Sequence, residues 1–288
     1  MASQTSDNDL SPLHNKAQKG LWGFWIGIFK SFRSHSFLLK KLVSVNIINA
    51  YKKSFIGLSW LILTPIISVI VWILLNRAGI MNPGETGIPY PAFVLLSTSI
   101  WAFFQGSYQV TSQVIVNSGR FLVTAKFPHE LLIGEQLIVH SINFVVPFVI
   151  NIIVLLIYDV QFHTVAILFP VSLIPLLLLG SAIGMVVSLL RVVAVDLSRL
   201  ADQCMLFLMF ITPIVYSPKV ELAWLAEIIK YNPLTYLVGF SRDLLITGTF
   251  TNINGFIVCS IFSFVSFLVC FRIFMRSEGK LLERLINV

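Results

Sequence analysis

The sequence predicts an all-α integral membrane protein with six transmembrane helices, an N-terminal amphipathic interface helix and a re-entrant helical hairpin between the last two spans. Three observations carry this. Of 288 residues, 57% are hydrophobic and 11% charged, where an average soluble domain is about 25% charged. Uncharged runs of spanning length recur along the chain. Lys and Arg crowd the segments that would share one membrane face, as cytoplasmic segments do.

The elements follow in order. Residues 1–20 are polar, with no early apolar core and no small-residue cleavage site, and read as a mobile cytoplasmic tail rather than a cleavable signal. Segment 21–53 opens on an aromatic, basic-flanked stretch holding Trp22, Trp25, Phe29, Lys30 and Arg33. That composition suits a helix lying in the headgroup layer; the alternative is a helix packed on its own protein, and the interfacial reading is the one adopted. The rest, 54–288, reads as a single six-helix membrane domain. A span needs about 20 predominantly apolar residues. Uncharged runs lie at 57–76, 88–118, 164–190, 203–218 and 244–271, and 136–158 carries only His140. The run at 203–218 is short and must draw on its flanks. Prolines within or beside these runs (Pro65, Pro147, Pro170, Pro175 and Pro213) are tolerated where neighbours re-satisfy the freed carbonyls.

Between the last two runs, residues 219–243 hold two short apolar stretches separated by Asn232-Pro233, a helix-breaking pair. Each half is too short to cross a bilayer. Two short helices that dip in and return fit the length, and such a hairpin is a candidate for lining a pathway.

Orientation comes from the cations. Eight Lys/Arg precede the first span, two follow the second, two follow the fourth and four lie at the C-terminal end: sixteen on one side against Arg77, Lys219, Lys230 and Arg242 on the other. Both termini are therefore expected in the cytoplasm. The formal charge of +7 is then a topology signal and not a nucleic-acid surface. Cys204, Cys259 and Cys270 form no CxxC and read as small apolar residues.

Catalytic motifs are missing. No GxxxxGK[ST] loop occurs, so this chain is not expected to hydrolyse ATP. There is no HExxH, and the five histidines are scattered; no metal and no cofactor of its own is expected. Glu85, Asp159, Glu221, Glu227 and Asp243 read as solvated outer carboxylates. With no acidic residue read deep in a span, ion-coupled transport is disfavoured, and His140 reads as a packing residue before a proton relay. The stretch 117–130 has the pattern of a short amphipathic helix ended by Pro128. Pattern alone leaves it either a handle for a soluble partner or an ordinary connector.

Four segments together carry a resemblance: Tyr51 to Trp60 with Pro65 beyond; Lys126-Phe127-Pro128-His129-Glu130; Thr212-Pro213-Ile214-Val215-Tyr216; and Asn232-Pro233-Leu234-Thr235-Tyr236-Leu237 with Arg242. Their order and spacing resemble the membrane subunit of polysaccharide-exporting ABC transporters, a family spanning O-antigen (Wzm), capsule (KpsM) and teichoic-acid (TagG) permeases, and most of all the O-antigen branch. The resemblance covers roughly residues 37–288. Val193 and Val195 stand where that family often has arginines, and His129 where it commonly has Arg.

The resemblance implies a multi-pass permease of the bacterial cytoplasmic membrane. It implies a homodimer bound to two copies of a separate ATPase that holds ATP and Mg. Arg120, Phe121, Lys126, Phe127, Pro128, His129 and Glu130 would match the coupling helix. The N-terminal segment would match the interface helix, 221–243 the re-entrant pair, and the first and fifth spans the conduit walls. Aromatic rings stack on the C–H faces of sugars, so Trp60, Trp72, Phe207, Phe210, Tyr216, Tyr231, Tyr236 and Phe240 are the candidate conduit residues for a lipid-linked glycan. The sequence leaves two rivals: a drug or small-lipid exporter of the same architecture, and a membrane-embedded transferase acting on lipid-linked sugars, which should show clustered polar catalytic residues.

Overall fold

A computed structural model describes residues 21–52, 59–117, 128, 130–219 and 222–286. Regular structure among the described residues is helical. In chain order the helices are α1 (Leu21–Ser34), α2 (Ser36–Lys52), α3 (Ser59–Arg77), α4 (Tyr90–Ser112), α5 (Glu130–Asn143), α6 (Val145–Ile157), α7 (Phe169–Ser172), α8 (Ile174–Val193), α9 (Val195–Ile211), α10 (Ala223–Tyr231), α11 (Pro233–Ile246) and α12 (Ile253–Ile286); a 3₁₀ turn, Thr164–Leu168, precedes α7.

Among the described residues, three helical runs are long and apolar enough to cross a membrane: Glu130–Ile157, Thr164–Val193 and Ile253–Ser277. The first joins α5 to α6 across Phe144, ahead of Pro147, and the second joins the 3₁₀ turn, α7 and α8 across Leu173, between Pro170 and Pro175. A proline ring removes one helical donor and crowds the preceding turn, so breaks collect beside these residues. Of the other expected spans, α3 has 19 residues and α9 has 17. α9 starts at Val195, ahead of the uncharged run, and ends at Thr212-Pro213; it takes its length from the charged flank holding Asp196, Arg199 and Asp202.

α4 is the centre of the bundle. It packs against α3, α5, α6, α8 and α11, and sixteen of its 23 residues are buried. Its hydroxyls turn onto its own backbone: Thr98 donates to the Val94 carbonyl (2.6 Å), Ser99 to Leu95 (2.8 Å), Ser107 to Phe104 (2.7 Å) and Thr111 to Ser107 (2.7 Å). A hydroxyl satisfied inside its own helix carries little cost in an apolar surround.

The closest packing is α8 on α4. Gly180 and Gly184 sit on one face of α8, and a methyl on either would overlap α4: Phe104 carbonyl and Ser107 for Gly180, Tyr108 carbonyl and Thr111 for Gly184. Lipid tails are as apolar as side chains, so helices in a bilayer gain from backbone proximity more than from burial. Small residues at i and i+4 supply it.

The helix breaks between α10 and α11 at Asn232-Pro233, as the sequence expects. Asn232 accepts from the Leu234 N–H (3.0 Å) and so caps α11, while Pro233 occupies the first helical position, where its missing N–H has no cost. The second arm differs from expectation. The uncharged run 244–271 is divided, because α11 continues to Ile246 and is closed by Gly248 at φ +63°, whose N–H and that of Thr247 both reach the Asp243 carbonyl (3.0 and 2.9 Å). A left-handed glycine after the last turn is a common helix stop. α12 then starts at Ile253.

Candidate functional site

Two polar clusters mark the ends of the bundle. At the hairpin end, Arg242 on α11 is buried and reaches across to the Pro213 carbonyl (3.2 Å). Its guanidinium lies over the Phe93 ring at 4.5 Å and its Nε is 3.7 Å from Asp243. Asp243 in turn accepts from the Thr251 hydroxyl. Asn232 donates through Nδ2 to the Thr212 hydroxyl (2.9 Å), Tyr90 donates to the Val215 carbonyl (3.2 Å), and the Ser217 N–H donates to the Pro83 carbonyl (2.7 Å). The non-helical stretch Thr212–Ser217 thus has its exposed backbone groups met by α11, by α4 and by the loop before α4. Irregular backbone is stable at membrane depth only when protein meets its polar groups in this way. Two of the motif segments singled out above, Thr212–Tyr216 and Asn232–Leu237 with Arg242, are brought together here.

At the opposite end, the bend between α8 and α9 carries an ion pair. Arg191 donates to both Asp202 oxygens (2.7 and 2.9 Å) and to the Ser112 carbonyl (3.1 Å). Tyr108 donates to the same Asp202 carboxylate (2.6 Å). The bend at Ala194 is therefore tied to the end of α4 by a charge-assisted network. Sequence reasoning missed Asp202 and Tyr108. They stand far apart in the chain, and only the positions of Arg191 and Asp202 on either side of the α8–α9 boundary hinted at a pair. Nearby, Asn46 on α2 donates to buried Glu135 on α5 (2.6 Å), a second pair missed by sequence reasoning.

Helix α1 buries one face and exposes the other. On α1, Phe24, Ile28 and Ser31 are buried. Phe24 and Trp25 pack on Phe271 of α12 at 6.4 and 5.7 Å. The opposite face exposes Ile26, Phe29, Lys30 and Arg33. One stripe is packed on the protein; the other is apolar and basic, the composition of a headgroup-facing surface. The side chain of Trp22 lies outside the described residues.

The aromatic candidates separate. Trp60 is 52% exposed, Phe207 66%, Phe210 57% and Tyr231 77%. Trp72 on α3 meets Phe210 on α9 edge-on at 6.4 Å, so the first and fifth expected spans touch at this ring pair. Tyr216 and Tyr236 are partly buried, and their hydroxyls donate to the Phe210 and Lys230 carbonyls (2.9 and 2.8 Å). Phe240 is packed inside the chain. It is 7% exposed and stacks on Phe256 at 4.0 Å, so within the chain it has no free face for a passing ligand. Its place on α11 turns it toward α12 rather than toward α9.

Of the expected coupling residues, Pro128 is partly buried and Glu130, at the start of α5, is buried. Arg120, Phe121, Lys126, Phe127 and His129 lie outside the described residues.

The family model described as ABC-2 type transporter matches residues 38–246. An O-antigen export system permease protein RfbA of Klebsiella pneumoniae is 23% identical over 208 residues, 69% of this chain and 76% of that protein. The protein of the same name from Myxococcus xanthus is 25% identical over 179 residues, 62% of this chain and 68% of its own length. A further Klebsiella pneumoniae protein of that name is 21% identical over 239 residues, 81% of this chain and 89% of that protein.

Proposed function

The chain belongs to the ABC-2 type transporter family, and on that premise we propose that it is the permease subunit of an ATP-driven exporter of a lipid-linked polysaccharide, O-antigen in the first place and capsule or teichoic acid after it. The observation that carries this reading is that three relatives named as O-antigen export permeases match along 62–81% of the chain. The motif segments at the hairpin end, which join through Asn232–Thr212 and Arg242–Pro213, support it.

In this reading the chain crosses the bacterial inner membrane six times with both ends in the cytoplasm, and α10–α11 form a re-entrant pair at the outer mouth. Residues 1–20 are a cytoplasmic tail. Two copies meet so that the outward apolar faces of α3 and α9 wall a conduit. Trp60, Phe207, Phe210 and Tyr231 offer ring faces to the C–H faces of sugars. Such contacts are weak and repeated, which suits a chain that must slide and not stop. The chain has no phosphate-binding loop, so work is delivered by two copies of a separate ATPase that bind ATP and Mg. Residues 120–130 dock on that subunit. A push there reaches α5 directly through Glu130.

The test is co-purification. Replacing residues 120–130 by a polar linker of equal length is expected to abolish recovery of a nucleotide-binding subunit with the tagged chain while its thermal unfolding in detergent is unchanged. Undiminished recovery would contradict the assigned docking segment.

A further inference from the structure

We propose that a cavity of about 340 Å³ between α3, α4 and the α5–α6 run binds the uncharged sugar ring of a lipid-linked glycan; this rests on the export reading above. Of the conduit residues only Trp60 lines it. Its other aromatic walls are Phe103 and Phe144, whose ring centroids are 4.6 Å apart.

The polar side of the cavity is made of the uncharged side chains Thr64, Thr98, Ser99, His140 and Asn143. His140 lies with Nε2 at 2.8 Å from the Phe103 carbonyl. A carbonyl only accepts, so Nε2 carries the hydrogen in this contact. Thr98 and Ser99 commit their hydroxyl hydrogens to the Val94 and Leu95 carbonyls, which leaves lone pairs toward the cavity. Among the described lining residues there is no Lys, Arg, Asp or Glu. An uncharged polar lining offers no charge to balance a desolvated phosphate or carboxylate, and it can exchange hydrogen bonds with hydroxyls. Aromatic walls receive an apolar C–H surface. A pyranose ring has both features, hydroxyls at its rim and C–H bonds on its face.

The cavity is held open and open-sided. A side chain on Gly106 would overlap the His140 ring, so bare backbone there lets the imidazole lie against α4. Ala102 is exposed at the mouth. His140 stands ten residues into α5, about 15 Å from its start at 1.5 Å per residue. A sugar ring carried by a lipid could reach this depth from the side of the bundle.

The test uses the whole chain in phosphatidylcholine nanodiscs, titrated with glucosyl-diacylglycerol. The readout is the Trp60 fluorescence change, isolated by subtracting the response of Trp60→Phe. A saturable change is expected, weakened at least tenfold by Ala102→Leu, which blocks the mouth from an exposed position, and several-fold by His140→Phe. An equal response to diacylglycerol would make this an acyl-chain site, and an equal response to phosphatidylglycerol an anion site; either overturns the proposal, as does a response unaffected by Ala102→Leu. Saturable binding with no ATP-driven export would defeat the export reading and leave the cavity assigned. Export with no binding would defeat the cavity alone.

Discussion

Arg242 carries more of the hairpin end than any other side chain. It joins α11 to the Pro213 carbonyl, to Phe93 on α4 and to Asp243. Hydrogen bonds to a charged partner are worth about 1.5–3 kcal/mol, so Arg242→Met is expected to lower stability by about that much, read as a fall in the thermal unfolding midpoint in detergent. Arg242→Lys should recover only part of it, because an ammonium lacks the planar fork that reaches several partners. Asn232→Ala removes both the α11 cap and the bond to Thr212, and about 1 kcal/mol is expected from the cap. Both residues were singled out from the sequence by their motif. The reason they matter was not legible there, since Asn232 reaches a hydroxyl and Arg242 a backbone carbonyl about 20–30 positions away. Arg191, Asp202 and Tyr108 were less legible still: a partly buried ion pair with a tyrosine donor leaves no spacing signature when its members lie on three helices.

Among elements, the contact of α8 with α4 is the one most sensitive to size. Gly184→Ala must displace the Tyr108 carbonyl or Thr111, and overpacking of this kind costs about 1–3 kcal/mol. Gly239→Ala, on α11, meets nothing within 4 Å and should be neutral or gain up to about 1 kcal/mol of helix propensity. Thermal unfolding of the two variants beside the parent chain checks the contrast; equal destabilisation would show that α8 does not approach α4 as described. Gly180-Ser181-Ala182-Ile183-Gly184 is a small-residue spacing that the sequence displays openly, but hydropathy does not register it. The break at Asn232-Pro233 was legible because proline chemistry is local. The stop at Gly248 was not, because Thr247-Gly248-Thr249 sits inside an uncharged run and hydropathy sees no boundary there.

At the scale of the whole molecule, the all-helical architecture and the membrane character were legible from charge content and run length. The placement of α4 as a central helix was not: its hydroxyls look like exposure in a sequence, and here they are buried and bonded to their own helix. The two-sided α1 was likewise half legible, since an aromatic and basic stretch does not say which stripe meets protein and which meets lipid. The account of the whole chain is that it opens a path for a lipid-linked glycan and that a separate ATPase drives it. The direct measurement is transfer of that glycan across proteoliposomes holding this chain together with its co-purified ATPase. Transfer that needs both chains and ATP, and that stops when residues 120–130 are replaced, is the predicted result. Transfer at the same rate without the ATPase, or chemical modification of the glycan by this chain alone, would contradict it.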